Sequence, residues 1–248
     1  MNIFFIIILL VIYVLLYHNL ITNKENITMI QNPNPNPNPN SNQEFYDITI
    51  FPELSNINIK IILDELLKYI QNDSIWMEWP EYNLWKNSNR KSSWKIIPLM
   101  AFGVLSTKNK DLFSNTINEL KKIPNLITAG FSKLGPQTKL NYHRGWGKLS
   151  NYVLRCHLGL IVPKNKCKIL VSKDNFDQPT SNEKILGVFQ EENKWIIFDD
   201  SFTHSATNDS NEDRIVLILD IKRPSYINIG TSTISYSTEL NNFMNEFG

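Results

Sequence analysis

Residues 142–160 read YHRGWGKLSNYVLRCHLGL, and the second half of that stretch decides the fold. Side chains alternate across a strand, so Val153, Arg155, His157 and Gly159 share one face while Leu154, Cys156, Leu158 and Leu160 share the other. One face is apolar and the other carries two cations. Residues 195–221, WIIFDDSFTHSATNDSNEDRIVLILDI, repeat the arrangement, with Arg214 opening a strand so apolar that at least one of its faces is buried. A charged group in that setting needs an anionic partner. A lone Arg-x-His is explained by a solvated sheet face; its recurrence on a second apolar strand favours an enclosed polar site.

His204 and Arg214 flank the turn-forming TNDSNED, and a hairpin through that turn predicts the two side chains close together on neighbouring strands. His143, His157, His204, Arg155 and Arg214 then converge in one barrel mouth. Neutral imidazoles are borderline ligands suited to iron, and guanidinium groups hold carboxylates in bidentate fashion. The residue types therefore point to a metal together with a small dicarboxylic acid.

Working outward, short β-rich runs over 126–134, 138–143, 152–162, 167–171, 186–190, 195–200 and 214–222 are separated by polar turns, a pattern of sandwiches and barrels. Ahead of them, helical spacing appears within 56–71 and again before Pro124. The 248 residues suffice for one well-packed core, and a formal charge of +1 lacks the basic field that nucleic-acid binding requires. Cys156 and Cys167 have no zinc-like spacing; they are two small buried side chains or one bridge. Trp94, Trp146 and Trp195 are candidates for core or for the pocket wall.

The N-terminal run IFFIIILLVIYVLLY, extended to Ile21 with only His18 and Asn19 interrupting, approaches the 20 or so residues that cross a bilayer. With no basic start and no small-residue cleavage site, it reads as an uncleaved signal anchor, a transmembrane helix, rather than a removed signal peptide. NPNPNPNPNSN follows as a semi-rigid spacer expected to hold the domain away from the membrane. The domain map is an anchor over 1–22, an Asn/Pro-rich linker over 23–44, a helical and mixed segment over 45–124, a β-rich core over 125–226 and a C-terminal extension over 227–248.

The linked motifs HRG (143–145), LRCHLGLIVP (154–163), CKI (167–169) and FDDSFTH (198–204), with Arg214 ten residues after His204, resemble the aspartyl/asparaginyl β-hydroxylases. The resemblance is specific over 131–224, weaker over 94–127 and absent before that. It implies a mainly β, double-stranded β-helix (jelly-roll or cupin-like) fold with flanking helices, and Fe(II), 2-oxoglutarate and O2 as cofactor and cosubstrates. On this resemblance His143 and His204 match the iron ligands. Arg214 matches the arginine that pairs with the distal carboxylate of 2-oxoglutarate, with Arg155, His157 and Ser132 completing that site. The third ligand position falls on Gly145, which has no side chain to donate and leaves the place to water. Asp199 and Asp200 belong to the FDDS motif and read as supporting residues, at most one of them facing the metal.

The implied activity is hydroxylation of a β-carbon in aspartyl or asparaginyl residues of a protein or peptide substrate. A lipid acyl chain as substrate is the alternative within the same chemistry, and a non-catalytic jelly-roll binding module is the alternative outside it. Retention of both histidines and both arginines argues against the module. Animal members of the family are type II membrane proteins, which implies by analogy a single-pass protein whose catalytic domain is lumenal or extracellular.

Overall fold

The computed structural model describes residues 25–31, 33, 42–86, 92–180 and 182–247. The anchor read over 1–22 and most of the Asn/Pro run lie outside these residues. Among the described residues no helix is long and apolar enough to cross a membrane.

Thirteen strands are present among them: β1 Asn26–Met29, β2 Phe45–Tyr46, β3 Met77–Glu78, β4 Trp94–Ala101, β5 Val104–Leu105, β6 Leu126–Leu134, β7 Thr138–Lys139, β8 Val153–Ile161, β9 Cys167–Ser172, β10 Lys184–Phe189, β11 Trp195–Phe198, β12 Thr203–Asn208 and β13 Arg214–Lys222. Four α-helices join them: α1 Ile59–Tyr69, α2 Ser114–Leu120, α3 Gly147–Ser150 and α4 Thr238–Phe247. One sheet has the order β2-β11-β8-β13-β6-β4-β3 with β5 paired to β4, and the other has β1-β10-β9-β12-β7. From β6 to β13 the chain switches repeatedly between the sheets, placing β6, β8, β11 and β13 in the larger and β7, β9, β10 and β12 in the smaller. That alternation is the strand pattern of a jelly roll.

The two faces of the larger sheet do different work. Leu154, Cys156, Leu158 and Leu160 of β8 and Ile215, Leu217, Leu219 and Ile221 of β13 form one apolar cluster with Ile62 and Leu66 of α1 and with Phe113 and Leu120. The helices thus cover the outer face. The inner face meets the smaller sheet over a second cluster that includes Leu134, Ile169, Val171, Ile196 and Phe198. Asn58 caps α1 by accepting from the backbone N–H groups of Lys60 and Ile61, which explains where the first helix starts.

Two readings change. The segment 208–214 does not close a hairpin between paired strands: β12 pairs with β9 and β7, and β13 pairs with β6 and β8. The turn carries the chain from one sheet to the other, so His204 and Arg214 face a shared interior from opposite walls. Residues 26–29, read as part of the linker, form an edge strand parallel to β10. The two cysteines are free and buried, as small apolar side chains.

Phe131 is fully buried between the helices and β13. We expect Phe131→Ala to cost about 3–5 kcal/mol, measured as a lower urea midpoint at unchanged slope.

Candidate functional site

His143 and His204 stand side by side at one end of the interior, joined by an antiparallel bridge, with ring centroids 4.3 Å apart. Each imidazole is set in the same way. Nδ1 of His143 lies 2.7 Å from the carbonyl oxygen of Asn141, and Nδ1 of His204 lies 2.9 Å from that of Phe202. A carbonyl only accepts, so both Nδ1 atoms carry the proton and both Nε2 atoms keep their lone pairs. Burial holds His204 down to about 3, and burial with the neighbouring imidazole lowers His143, which is half-buried against the cavity. Both are neutral near pH 7, the form a metal requires.

Asp200 is the nearest carboxylate, with Oδ1 3.2 Å from Nε2 of His204. It is buried and also accepts from Nη1 of Arg155, while Asp220 takes Nε of Arg155 at 2.9 Å and Nη2 at 3.2 Å. Burial raises the Asp200 carboxyl and Arg155 opposes it. Gly145 faces this carboxylate: a Cβ placed there would lie 1.8 Å from Oδ2 of Asp200. The space left by the missing side chain is therefore filled from another segment. Asp199 turns the other way, paired with Arg223 and accepting from the Ser201 N–H and hydroxyl. Among the described residues no three His, Cys, Asp or Glu side chains are grouped to hold a metal ion. His143 and His204 stand as a pair of neutral imidazoles, with Asp200 beside them and held by Arg155.

Arg214 opens β13 in the larger sheet and is almost fully buried. Its Nε donates to Oε1 of Gln190 at 2.6 Å, and the amide of Gln190 meets Nδ1 of His157 at 3.4 Å. Nη2 of Arg214 and Nε2 of His157 are both buried without a hydrogen-bond partner. Two such orphans cost several kcal/mol unless a ligand meets them. Burial lowers Arg214 to about 10, which leaves it charged at neutral pH. A guanidinium with a free edge fits a carboxylate, and imidazoles with free Nε2 atoms fit iron, so the residues present suit both groups. Arg155, expected beside that carboxylate, is instead committed to Asp200 and Asp220. Ser132 accepts from the Trp94 indole at 3.0 Å and lines the cavity.

That cavity measures about 610 Å³ and reaches His143. Trp79 stacks between Trp94 (4.6 Å) and Trp146 (5.8 Å), and Glu81 accepts from the indoles of Trp79 and Trp146. Beyond the tryptophans the wall is mixed, with an apolar part that includes Ile96, Met100, Phe102 and Leu240 and a charged part that includes Arg144 and Asp177. Trp195 packs instead on the helix side of the larger sheet. Glu81, Gln190 and Asp220 went unread in the sequence. Asp220 alone had a signal, since it falls on the same face of RIVLILDI as Arg214.

A family model described as Aspartyl/Asparaginyl beta-hydroxylase matches residues 56–224. An ornithine lipid ester-linked acyl 2-hydroxylase from Rhizobium tropici is 37% identical over 139 residues, covering 56% of this chain and 45% of its own. The human aspartyl/asparaginyl beta-hydroxylase is 28% identical over 155 residues, covering 59% of this chain and 16% of its own. The chain thus spans less than half the length of these relatives. An oxidoreductase of the 2OG-Fe(II) oxygenase family from Burkholderia pseudomallei superposes with a TM-score of 0.45 at 9% identity, over 66% of this chain and 82% of that one.

Two outcomes follow from the site. The unfolded imidazoles protonate near 6.5, whereas His143 and His204 stay neutral down to about 3, so the unfolded state binds more protons between those values. Stability is complete above 6.5 and falls as the pH drops, by about 1.4 kcal/mol per pH unit for each histidine; urea midpoints of the metal-free protein that stay level from about pH 7 to about pH 5 would contradict neutral imidazoles. Gly145→Ala drives a methyl into Asp200, and we expect a lower melting temperature together with weaker iron retention, read by metal analysis after desalting.

Proposed function

The chain belongs to the aspartyl/asparaginyl β-hydroxylase family, and we propose on that basis that it is an Fe(II)- and 2-oxoglutarate-dependent dioxygenase that hydroxylates an unactivated C–H bond. The observation that carries the reading is the pair of buried orphan donors, Arg214 Nη2 and His157 Nε2, lying behind two neutral histidines in one interior. Iron bound with 2-oxoglutarate and oxygen supplies the oxidising chemistry, coupled to loss of carbon dioxide from the cosubstrate. Everything else is the work of this chain.

His143 and His204 offer Nε2 lone pairs, with the carbonyls of Asn141 and Phe202 fixing the tautomer and the ring planes. Arg214, fixed by Gln190, would hold the far carboxylate of the cosubstrate, and His157 would meet the same ligand from the adjacent strand. Arg155 is a positioning residue: it holds Asp200 against His204, in the room that Gly145 leaves. The tryptophan stack excludes water from the approach to His143.

For the substrate, the apolar part of the wall, from Ile96 to Leu240, suits a lipid acyl chain, in line with the identity to the ornithine lipid acyl hydroxylase. A protein side chain hydroxylated at its β-carbon is the second reading, favoured by the family model and the human relative. The apolar run over residues 3–21 serves as a membrane anchor, with the catalytic domain lumenal or extracellular.

The test uses the full chain in detergent, loaded anaerobically with Fe(II) and titrated with 2-oxoglutarate. We expect a visible charge-transfer band that is lost in His204→Ala. In Arg214→Ala the band should need roughly 10- to 100-fold more cosubstrate, the worth of a hydrogen bond to a charged group. No band from folded wild type would overturn the assignment. Mass gain of one oxygen atom on an acylated lipid or on an Asp/Asn peptide then chooses between the substrates.

A further inference from the structure

The Asn/Pro run lies between two strands that are both docked on the domain. β1 precedes it, paired with β10, and β2 follows it, paired with β11. The run therefore cannot separate the apolar N-terminal segment from the domain. What joins them is residues 22–24 alone, because Glu25 is already fixed: Oε2 accepts from the Tyr142 hydroxyl at 2.8 Å and Oε1 meets Nζ of Lys139 at 2.8 Å.

The register shows which end of the barrel this is. Thr28 pairs with Leu186, Leu186 with Val171, Val171 with His204, and His204 bridges to His143. One row of backbone thus runs from the edge strand to the histidine pair. β1 enters that row from the open side, since Asn26 lies opposite Lys184, ahead of it. Tyr142, the partner of Glu25, lines the cavity with Asn175 and Phe176. Three residues separate Ile21 from Glu25, and the four Cα-to-Cα steps reach at most about 14 Å. The headgroup layer of a bilayer leaflet is about 5–7 Å deep. A membrane holding the apolar run accordingly lies within a headgroup layer or two of Tyr142.

A separate observation agrees. Phe102 and Ile234 line the same cavity and are 41% and 45% exposed, and Val104 beside them is 56% exposed. Apolar side chains on a cavity rim seldom face water without a partner.

We propose that residues 25–31 strap the catalytic domain against the bilayer with the cavity mouth at the headgroup layer, so that the substrate is drawn from the membrane itself. This rests on the hydroxylase reading and on residues 3–21 spanning the bilayer, and it deepens both by naming a lipid surface as what the mouth faces.

The test measures depth. Cys156 and Cys167 are buried, so a thiol dye reports mainly an introduced cysteine. The full chain, as Asn175→Cys at the mouth or Lys164→Cys, is reconstituted into phosphatidylcholine and phosphatidylglycerol vesicles carrying a headgroup-level nitroxide lipid. Lys164 lies in the turn before β9, at least about 13 Å beyond the histidine row. We expect the mouth label to lose most of its emission and the Lys164 label to keep it. Equal quenching at both labels, none at the mouth, or a chain that stays out of the vesicles would overturn the proposal. Neither label depends on iron, 2-oxoglutarate or turnover. A failed depth measurement therefore leaves the hydroxylase standing, and a failed cosubstrate titration leaves the docking standing.

Discussion

The molecule depends on one constraint: its two central strands, β8 and β13, are buried on both faces, yet each carries charge on one of them. The outward residues are uniformly apolar and bind the helices. The inward residues include Arg155, His157, Arg214 and Asp220, and a charge enclosed at that depth is tolerated only when another group answers it. Arg155 is answered within the protein by Asp220 and Asp200. Arg214 is answered only in part, by Gln190, and its Nη2 is buried without a hydrogen-bond partner. The two arginines differ in kind: one is neutralised by carboxylates of the fold, and the other meets only a neutral amide.

The same economy appears at the histidines. Gly145 offers no side chain on the HRG turn, and the room it leaves is taken by a carboxylate arriving from the segment between β11 and β12. Because Asp200 already carries a bond to Arg155, its freedom to move toward a metal is limited by a strong charge-assisted contact. Asp199, one residue earlier, closes a different knot with Arg223, tying the end of β13 to the turn that presents His204. Adjacent aspartates thus serve the site and its scaffold separately.

Much of this was legible in the sequence, for identifiable reasons. Strand alternation placed Arg155 and His157 on the face opposite the leucines of β8, and the structure has them there. The bounds of β13 were readable because the run RIVLILDI is uninterrupted. What failed was inference across the turn at 208–214. Local turn propensity is the same whether the chain returns within a sheet or crosses to the facing one, so a hairpin and a crossover look alike. The partner of Arg155 was missed for a related reason: alternation assigns a face, while the residue met across the interior depends on register. β1 was hidden because it is short, exposed and next to proline, features that composition assigns to a linker.

That edge strand alters what the proline-asparagine repeat means for the protein. The strands β1 and β2 hold the chain on either side of the repeat, and the entropy of closing a chain segment between two fixed points rises only with the logarithm of its length. Doubling it would cost about 0.6 kcal/mol, against the several kcal/mol by which a domain is stable. A repetitive stretch can therefore lengthen or shorten by whole dipeptides without reaching the histidines, and the catalytic geometry is insulated from the most repetitive part of its own sequence.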